Sequence, residues 1–421
     1  MSTDRFEARY RLETPHTLRE AAEVIAGEQS SGTFVEVEGE SSELHRRHGA
    51  RVERVVETGT APEPSLPGSN VGEDGETYRR GEVTISFPTR NVGASLPNLL
   101  TTVGGNIFEL QELSGIRLLD VEPPDPVIEA YPGPQFGVEG TRDLAGVRDR
   151  PLLGTIIKPN VGLSPGETGD LVETLVTAGV DFIKDDELIA NPPYSPVKER
   201  VAAVMDAIHR HRAETDTNVL YACNITGDIE EMKRNHDAVV DAGGNCVMVS
   251  VESVGLAGLV ALREHAEVPI HVHRNGWGAR SRSPMLGFDF RVYQKFLRLA
   301  GADHVHVSGI DNKFAESDES VIESAIAVQT PIEDDDDVAV PVFSSAQWAK
   351  QAPETYAALG NTDLMHLAGG GILGHPEGPA AGVVHLRQGW EAAMKGVDLK
   401  TYAEGREELR RALAFFGDDD G

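Results

Sequence analysis

The sequence predicts an α/β protein: a C-terminal (β/α)8 TIM barrel behind an N-terminal α+β domain of ferredoxin-like type. Three observations predict it. Apolar runs of strand length recur eight times after Pro151, helical patterns separate most of them, and polar side chains sit at the carboxyl ends of nearly all of them. Domains are therefore expected at 1–125 and 126–421, with Pro123, Pro124 and Pro126 marking a linker.

In chain order, residues 8–13 read as a strand and 16–27 as an amphipathic helix capped by Thr17. Strands follow at 33–38, 51–57 and 80–87, then a helix near 95–103 and a strand near 114–121. The stretch 58–78, rich in Gly, Pro and Glu, reads as an exposed loop. The barrel strands are expected at 152–158, 182–186, 220–225, 246–251, 269–273, 304–308, 340–345 and 364–368. Helical patterns at 167–178, 198–211, 228–242 and 290–299 fall between them.

A barrel of this kind carries its chemistry at the carboxyl ends of its strands. Strand 1 ends in Lys158-Pro159-Asn160, strand 2 in Lys184, Asp186 and Glu187, and strand 3 at Asn224. Strand 5 carries His271, His273 and Arg274, and strand 6 carries His304, His306 and Ser308. Strand 7 ends in Ser344 and Ser345, and strand 8 in Gly369-Gly370-Gly371. Each alone has a plain reading, a hydrogen-bonded core histidine or a glycine turn. Their coincidence at successive strand ends is what points to a site.

The richest stretch is Asp-Phe-Ile-Lys-Asp-Asp-Glu at 181–187. Side chains alternate along a strand, so Lys184 and Asp186 share a face, with Glu187 where the strand bends away. Hard carboxylate oxygens suit Mg²⁺, and a lysine carbamylated by CO₂ becomes an anionic oxygen donor. By themselves these seven residues read equally as a surface charge run.

The 421-residue chain has 38 basic and 68 acidic residues, a net charge of −30. Such a surface repels nucleic acid and anionic membranes and suits solubility at high salt, as in a halophilic cytoplasm. Cys223 and Cys246 lie in apolar runs, as core residues of a reducing compartment do. There is no apolar run long enough to span a membrane, and MSTDRFEARYRLET lacks the apolar core of a signal peptide. A cytoplasmic protein is expected. The acidic runs at 333–337 and 418–420 read as solvated.

Six motifs, in order, resemble the large chain of ribulose-1,5-bisphosphate carboxylase/oxygenase (RuBisCO): GTIIKPNVGLS (154–164), DFIKDDE (181–187), HVHRNGW (271–277), GADHVHVSG (301–309), PVFSSA (341–346) and GGGILGHPEG (369–378). GEQSSGTF (27–34) and VGGNIFEL (103–110) extend the resemblance to the N-terminal region. It implies a CO₂-derived carbamate on Lys184, which binds Mg²⁺ with Asp186 and Glu187. It implies proton chemistry at Lys158 and His273, and a mobile-loop lysine at Lys313. Arg274 and His306 would hold one phosphate, Gly369, Gly370 and Thr33 would hold the other, and Ser344 would bind substrate or phosphate. Glu28 and Asn106 would come from a neighbouring subunit, in a homodimer or a multiple of dimers.

The departures carry as much information. Asn160 stands where the carboxylase has a second lysine, Phe34 where it has Trp, and Trp277 where it has a histidine. Ser344-Ser345-Ala346 replaces Ser-Gly-Gly, and Phe314 follows the loop lysine in place of a Leu-Glu-Gly run. Asn160 removes a cation beside the reacting carbon, and Trp277 is expected to crowd the second phosphate. These changes resemble the RuBisCO-like proteins (form IV type). Those enolise or isomerise a phosphorylated methylthio-sugar, or act as decarboxylases or transcarboxylase/hydrolases on oxo-sugar-acid phosphates. The expected function is Mg²⁺-dependent enediolate formation from a phosphorylated sugar or sugar acid, without CO₂ fixation. A true carboxylase and a non-catalytic, regulatory descendant are the alternatives.

Overall fold

The structure, a computed structural model, describes residues 4–32, 39–71, 77–333 and 337–417. The expected strand at 33–38, with Thr33 and Phe34, lies outside the described residues, as does the tail at 418–420. Among the described residues thirteen strands occur in chain order: β1 (Arg5–Thr14), β2 (Arg51–Ala61), β3 (Tyr78–Pro88), β4 (Gly115–Val121), β5 (Leu152–Ile156), β6 (Phe182–Lys184), β7 (Leu220–Asn224), β8 (Cys246–Ser250), β9 (Ile270–His273), β10 (Leu286–Phe288), β11 (His304–Ser308), β12 (Val340–Phe343) and β13 (Met365–Leu367).

Two compact units form, Met1–Pro132 with Gly276–Leu299, and Gly133–Asn275 with Ala300–Gly421. The first holds a five-stranded sheet in the order β10-β4-β1-β3-β2. β1 pairs antiparallel with β3 along its whole length, from Arg5 opposite Pro88 to Thr14 opposite Arg79. Alternation puts Tyr10 and Leu12 in the core. The helix Leu18–Glu28 covers the sheet with Leu18, Ala21, Ala22 and Ile25 buried, and Thr17 and Glu20 close a capping box at its start. β2 continues to Ala61, so the expected loop begins later than 58. Pairing with β3 overrides the glycine in this stretch. β10, absent from the sequence reading, adds a parallel edge beside β4. Gly287 there has φ +91°, and a Cβ would lie 1.9 Å from the Arg280 carbonyl oxygen, so only glycine fits.

The second unit is a closed parallel barrel, β5-β6-β7-β8-β9-β11-β12-β13 back to β5. Each of the eight expected apolar runs supplies one of its strands. Leu152, Phe182, Leu220, Met248, Val342 and Met365 pack the interior and are all but fully buried. A filled interior is a core rather than a pore, which leaves the carboxyl-end loops as the place for chemistry. Cys223 and Cys246 are buried free thiols. Among the described residues no helix is long and apolar enough to cross a membrane.

Candidate active site

Lys184 is the last residue of β6 and is 1% exposed. Its Nζ donates to the Asp185 carbonyl oxygen at 2.8 Å and lies 3.7 Å from Glu187 Oε2. Burial lowers its pKa from the ordinary lysine value, against the opposing pull of the nearby carboxylates. Asp186 Oδ2 pairs with Lys158 Nζ at 2.6 Å. The same Nζ donates to Asn160 Oδ1 at 2.8 Å. Glu187 Oε2 is 3.6 Å from His273 Nε2. Lys158, Lys184, Asp186, Glu187 and His273 thus form one polar cluster across β5, β6 and β9. Two carboxylates flank a buried amine, a donor set that fits Mg²⁺ once the amine bears carbamate oxygens.

Alternation sends Asp185 the opposite way. Both it and Arg200, on the helix Val197–Thr215, are 0% exposed, and they pair through Nε and Oδ2 at 3.1 Å. Tyr221 Oη donates to Asp185 Oδ1 at 2.6 Å, and the Asn224 backbone N–H donates to Oδ2 at 2.9 Å. Asn224 Nδ2 donates to the carbonyl oxygens of Asp186 at 3.1 Å and Glu187 at 3.3 Å. These bonds fix the peptide that carries the two carboxylates. Arg200 and Tyr221 were not singled out from the sequence.

His306 on β11 has its Nδ1 at 3.0 Å from Ser344 Oγ and its Nε2 at 2.7 Å from His271 Nε2. The rings of His273 and His306 lie 4.4 Å apart, centroid to centroid. Burial, and then the Lys184 charge, pushes His273 down to about 4, so its imidazole is neutral near pH 7. Burial likewise takes His271 and His306 well below the ordinary histidine range. Arg274 Nη2 donates to Ser308 Oγ at 2.8 Å and pairs with Glu316. Ser308, Ser345 and Ala346 have φ of 70°, 77° and 54° without being glycine. Such backbone costs on the order of 1 kcal/mol per residue and concentrates at functional sites.

Lys313 is exposed, with Nζ 5.4 Å from the centroid of the Phe314 ring. Gly369 and Gly370 open the short helix Gly369–Leu373. A Cβ on Gly369 would sit 3.6 Å from Lys158 Cε, while one on Gly370 would meet nothing within 4 Å. That leaves open backbone beside Lys158. In the other unit, Asn106 Nδ2 donates to Glu28 Oε1 at 3.4 Å, so these two expected residues adjoin. Trp277 is buried against Tyr293 and Phe290, at ring distances of 4.7 and 5.2 Å.

A second set of ligand-type side chains, His236, Asp237 and His265, has its donor atoms within 4.8 Å of one another. His236 Nε2 accepts from the Glu267 backbone N–H at 3.1 Å, so Nδ1 carries the hydrogen and faces Asp237 Oδ1 at 3.2 Å. Both nitrogens are committed, and the set lies at the amino ends of the strands. It reads as a stabilising hydrogen-bond group.

Two family models match the chain. The ribulose bisphosphate carboxylase large chain N-terminal domain covers residues 6–127, and the catalytic domain of the same chain covers 137–416. The 3-oxo-isoapionate-4-phosphate transcarboxylase/hydrolase of Xanthobacter autotrophicus is 49% identical, over 98% of this chain and 100% of the relative. The 3-oxo-isoapionate-4-phosphate decarboxylase of Rhizobium rhizogenes is 47% identical, over 98% of each. The crystal structure of a rubisco-like protein from Burkholderia fungorum superposes with a TM-score of 0.92 at 46% identity, over 98% of this chain and 100% of that one.

Proposed function

The chain belongs to the ribulose bisphosphate carboxylase large-chain family, as a RuBisCO-like enzyme, and from that premise we propose that it decarboxylates a phosphorylated oxo sugar acid, with or without hydrolysis. The observation that carries this reading is the cluster of Lys158, Lys184, Asp186, Glu187 and His273. The relatives named for this chemistry match nearly the full length of the chain.

Burial lowers the pKa of the Lys184 amine, and carbamylation uses the neutral form: Nζ would attack CO₂ and then shed a proton. The carbamate oxygens would join Asp186 and Glu187 in holding Mg²⁺. When bound, Mg²⁺ supplies positive charge beside the substrate carbonyl. Loss of the carboxyl group as CO₂ leaves its bonding electrons on the adjacent carbon and oxygen. Lys158 Nζ, held by Asp186 and Asn160, would deliver a proton to that carbon. His273, neutral near pH 7 and facing Glu187 through Nε2, would line the site on that side. The open backbone at Gly370 would seat the phosphate. Lys313 would close over the substrate from its loop.

Asn160 is the reason for decarboxylation rather than fixation. It offers Lys158 an uncharged acceptor and gives an incoming carboxyl group no cation. We further place the protein in the cytoplasm as a homodimer, with Glu28 and Asn106 completing the partner's site. The acidic surface suits high salt.

The experiment is direct. Enzyme loaded with Mg²⁺ and bicarbonate in high-salt buffer is given 3-oxo-isoapionate 4-phosphate and followed by ¹³C NMR. Release of the carboxyl carbon, lost in Lys158→Ala, is expected. Unchanged substrate after prolonged incubation contradicts the reading.

A further inference from the structure

The guanidinium of Arg274, expected to hold a phosphate, already has an anion. Its Nη2 pairs with Glu316 Oε2 and donates to Ser308 Oγ at 2.8 Å. The Arg274 side chain is 8% exposed and that of Glu316 19%. The other carboxylate oxygen, Oε1, accepts from Ser320 Oγ at 3.1 Å. Both oxygens of Glu316 are therefore engaged.

The backbone of this segment is also braced. Asn312 Nδ2 donates to the carbonyl oxygens of Gly309 at 2.8 Å and Glu316 at 3.3 Å. Asp318 Oδ1 accepts from the Asp311 N–H at 2.7 Å. Ser317 caps the helix Asp318–Gln329, accepting from the Ser320 N–H. Glu316 is thus the residue before a helix cap, held toward Arg274 from both sides.

A phosphate dianion brought to Arg274 meets a carboxylate on the same guanidinium. Either Glu316 leaves and gives up a mostly buried ion pair, or two anions share one cation at close range. A hydroxyl-bearing substrate end meets no such opposition, because hydroxyls donate to a carboxylate.

We propose that Glu316 is a specificity-determining residue: it fills the anion seat on Arg274, so the site takes a sugar acid with one phosphate and refuses a second phosphate at the opposite end. The proposal rests on the function proposed above, which gives the site a phosphorylated sugar acid. It puts an obstacle to a bisphosphate in a charge on the loop after β11.

The test uses the full chain with Mg²⁺ and bicarbonate at constant salt. Calorimetry measures binding of ribulose 5-phosphate and ribulose 1,5-bisphosphate to the wild type, Glu316→Gln and Glu316→Asp. The wild type should bind the bisphosphate no more tightly than the monophosphate. Glu316→Gln, which keeps an acceptor for Ser320 but no charge, should shift the ratio toward the bisphosphate by about tenfold. Glu316→Asp, which keeps the charge, should hold the wild-type ratio. A wild type that prefers the bisphosphate by tenfold or more overturns this proposal and leaves the proposed function standing. So does an unchanged ratio in a Glu316→Gln protein whose thermal melt matches the wild type. If the wild type binds neither compound, this proposal is overturned, while the decarboxylation assay above decides the proposed function independently.

Discussion

Arg200→Met should cost this protein about 3–5 kcal/mol, the penalty for leaving one partner of a buried ion pair alone. Arg200 and Asp185 are each 0% exposed and meet at 3.1 Å. Without the guanidinium, Asp185 keeps Tyr221 Oη and the Asn224 N–H as donors but loses its counter-charge. The Ala190 carbonyl oxygen loses a donor at 2.6 Å, and the Ser195 carbonyl oxygen loses another. Methionine replaces the apolar stem, so the loss is electrostatic more than steric. Urea denaturation at pH 7 reads it as a lower midpoint at unchanged slope. Arg200→Met with Asp185→Asn should recover part of the loss, with a coupling of about 1–3 kcal/mol. The damage should also reach the proposed metal ligands, because Asp185 lies between Lys184 and Asp186. Calorimetry should show weaker Mg²⁺ binding in Arg200→Met. A loss under about 1 kcal/mol, or fully additive single changes, would refute the assignment of this pair as the brace of the β6 strand end.

Lys184→Ala should abolish both bicarbonate-dependent Mg²⁺ binding, read by calorimetry, and turnover; full activity in this variant sinks the metal site. Mixed dimers of Asn106→Ala and Lys184→Ala chains should regain part of the activity, since one of their two hybrid sites is intact; no recovery in verified mixed dimers argues against a shared site. Burial pushes His366 and His385 down to about 3, below the usual 6.5 of an unfolded imidazole. Between those values the unfolded chain binds more protons, so stability falls as pH drops through about 6.5 and continues to fall toward 3. Each should remove about 2 kcal/mol by pH 5, and equal urea midpoints at pH 7 and pH 5 would contradict this.

The barrel was legible because its strands are buried on both faces and read as continuous apolar runs, as at Leu220–Asn224 and Cys246–Ser250. Lys184 and Asp186 were paired in advance by strand alternation alone. The same alternation turns Asp185 inward, but its partner is set by tertiary packing. Arg200 sits in a helix dense in charged residues, VKERVAAVMDAIHRHR, where nothing marks it as the buried one. β10 has three residues with a glycine at the centre, too short for a periodic signal. The size of Trp277 is plain in the sequence, but its ring partners Tyr293 and Phe290 are set by tertiary packing. Glu316 carries no signal of its own in the sequence, because its meaning comes from Arg274, 42 residues away in the chain.

The most direct test pairs two readings on one preparation loaded with Mg²⁺ and bicarbonate. Deuterium uptake from D₂O and ¹⁴CO₂ incorporation are followed together, on an oxo-sugar-acid phosphate and on ribulose 1,5-bisphosphate. With Asn160 beside Lys158 in place of a second cation, the sugar acid should lose its carboxyl group and gain deuterium at the same carbon. Ribulose bisphosphate should yield no fixed ¹⁴C. Substantial ¹⁴C incorporation into ribulose bisphosphate would contradict the account and make this chain a carboxylase.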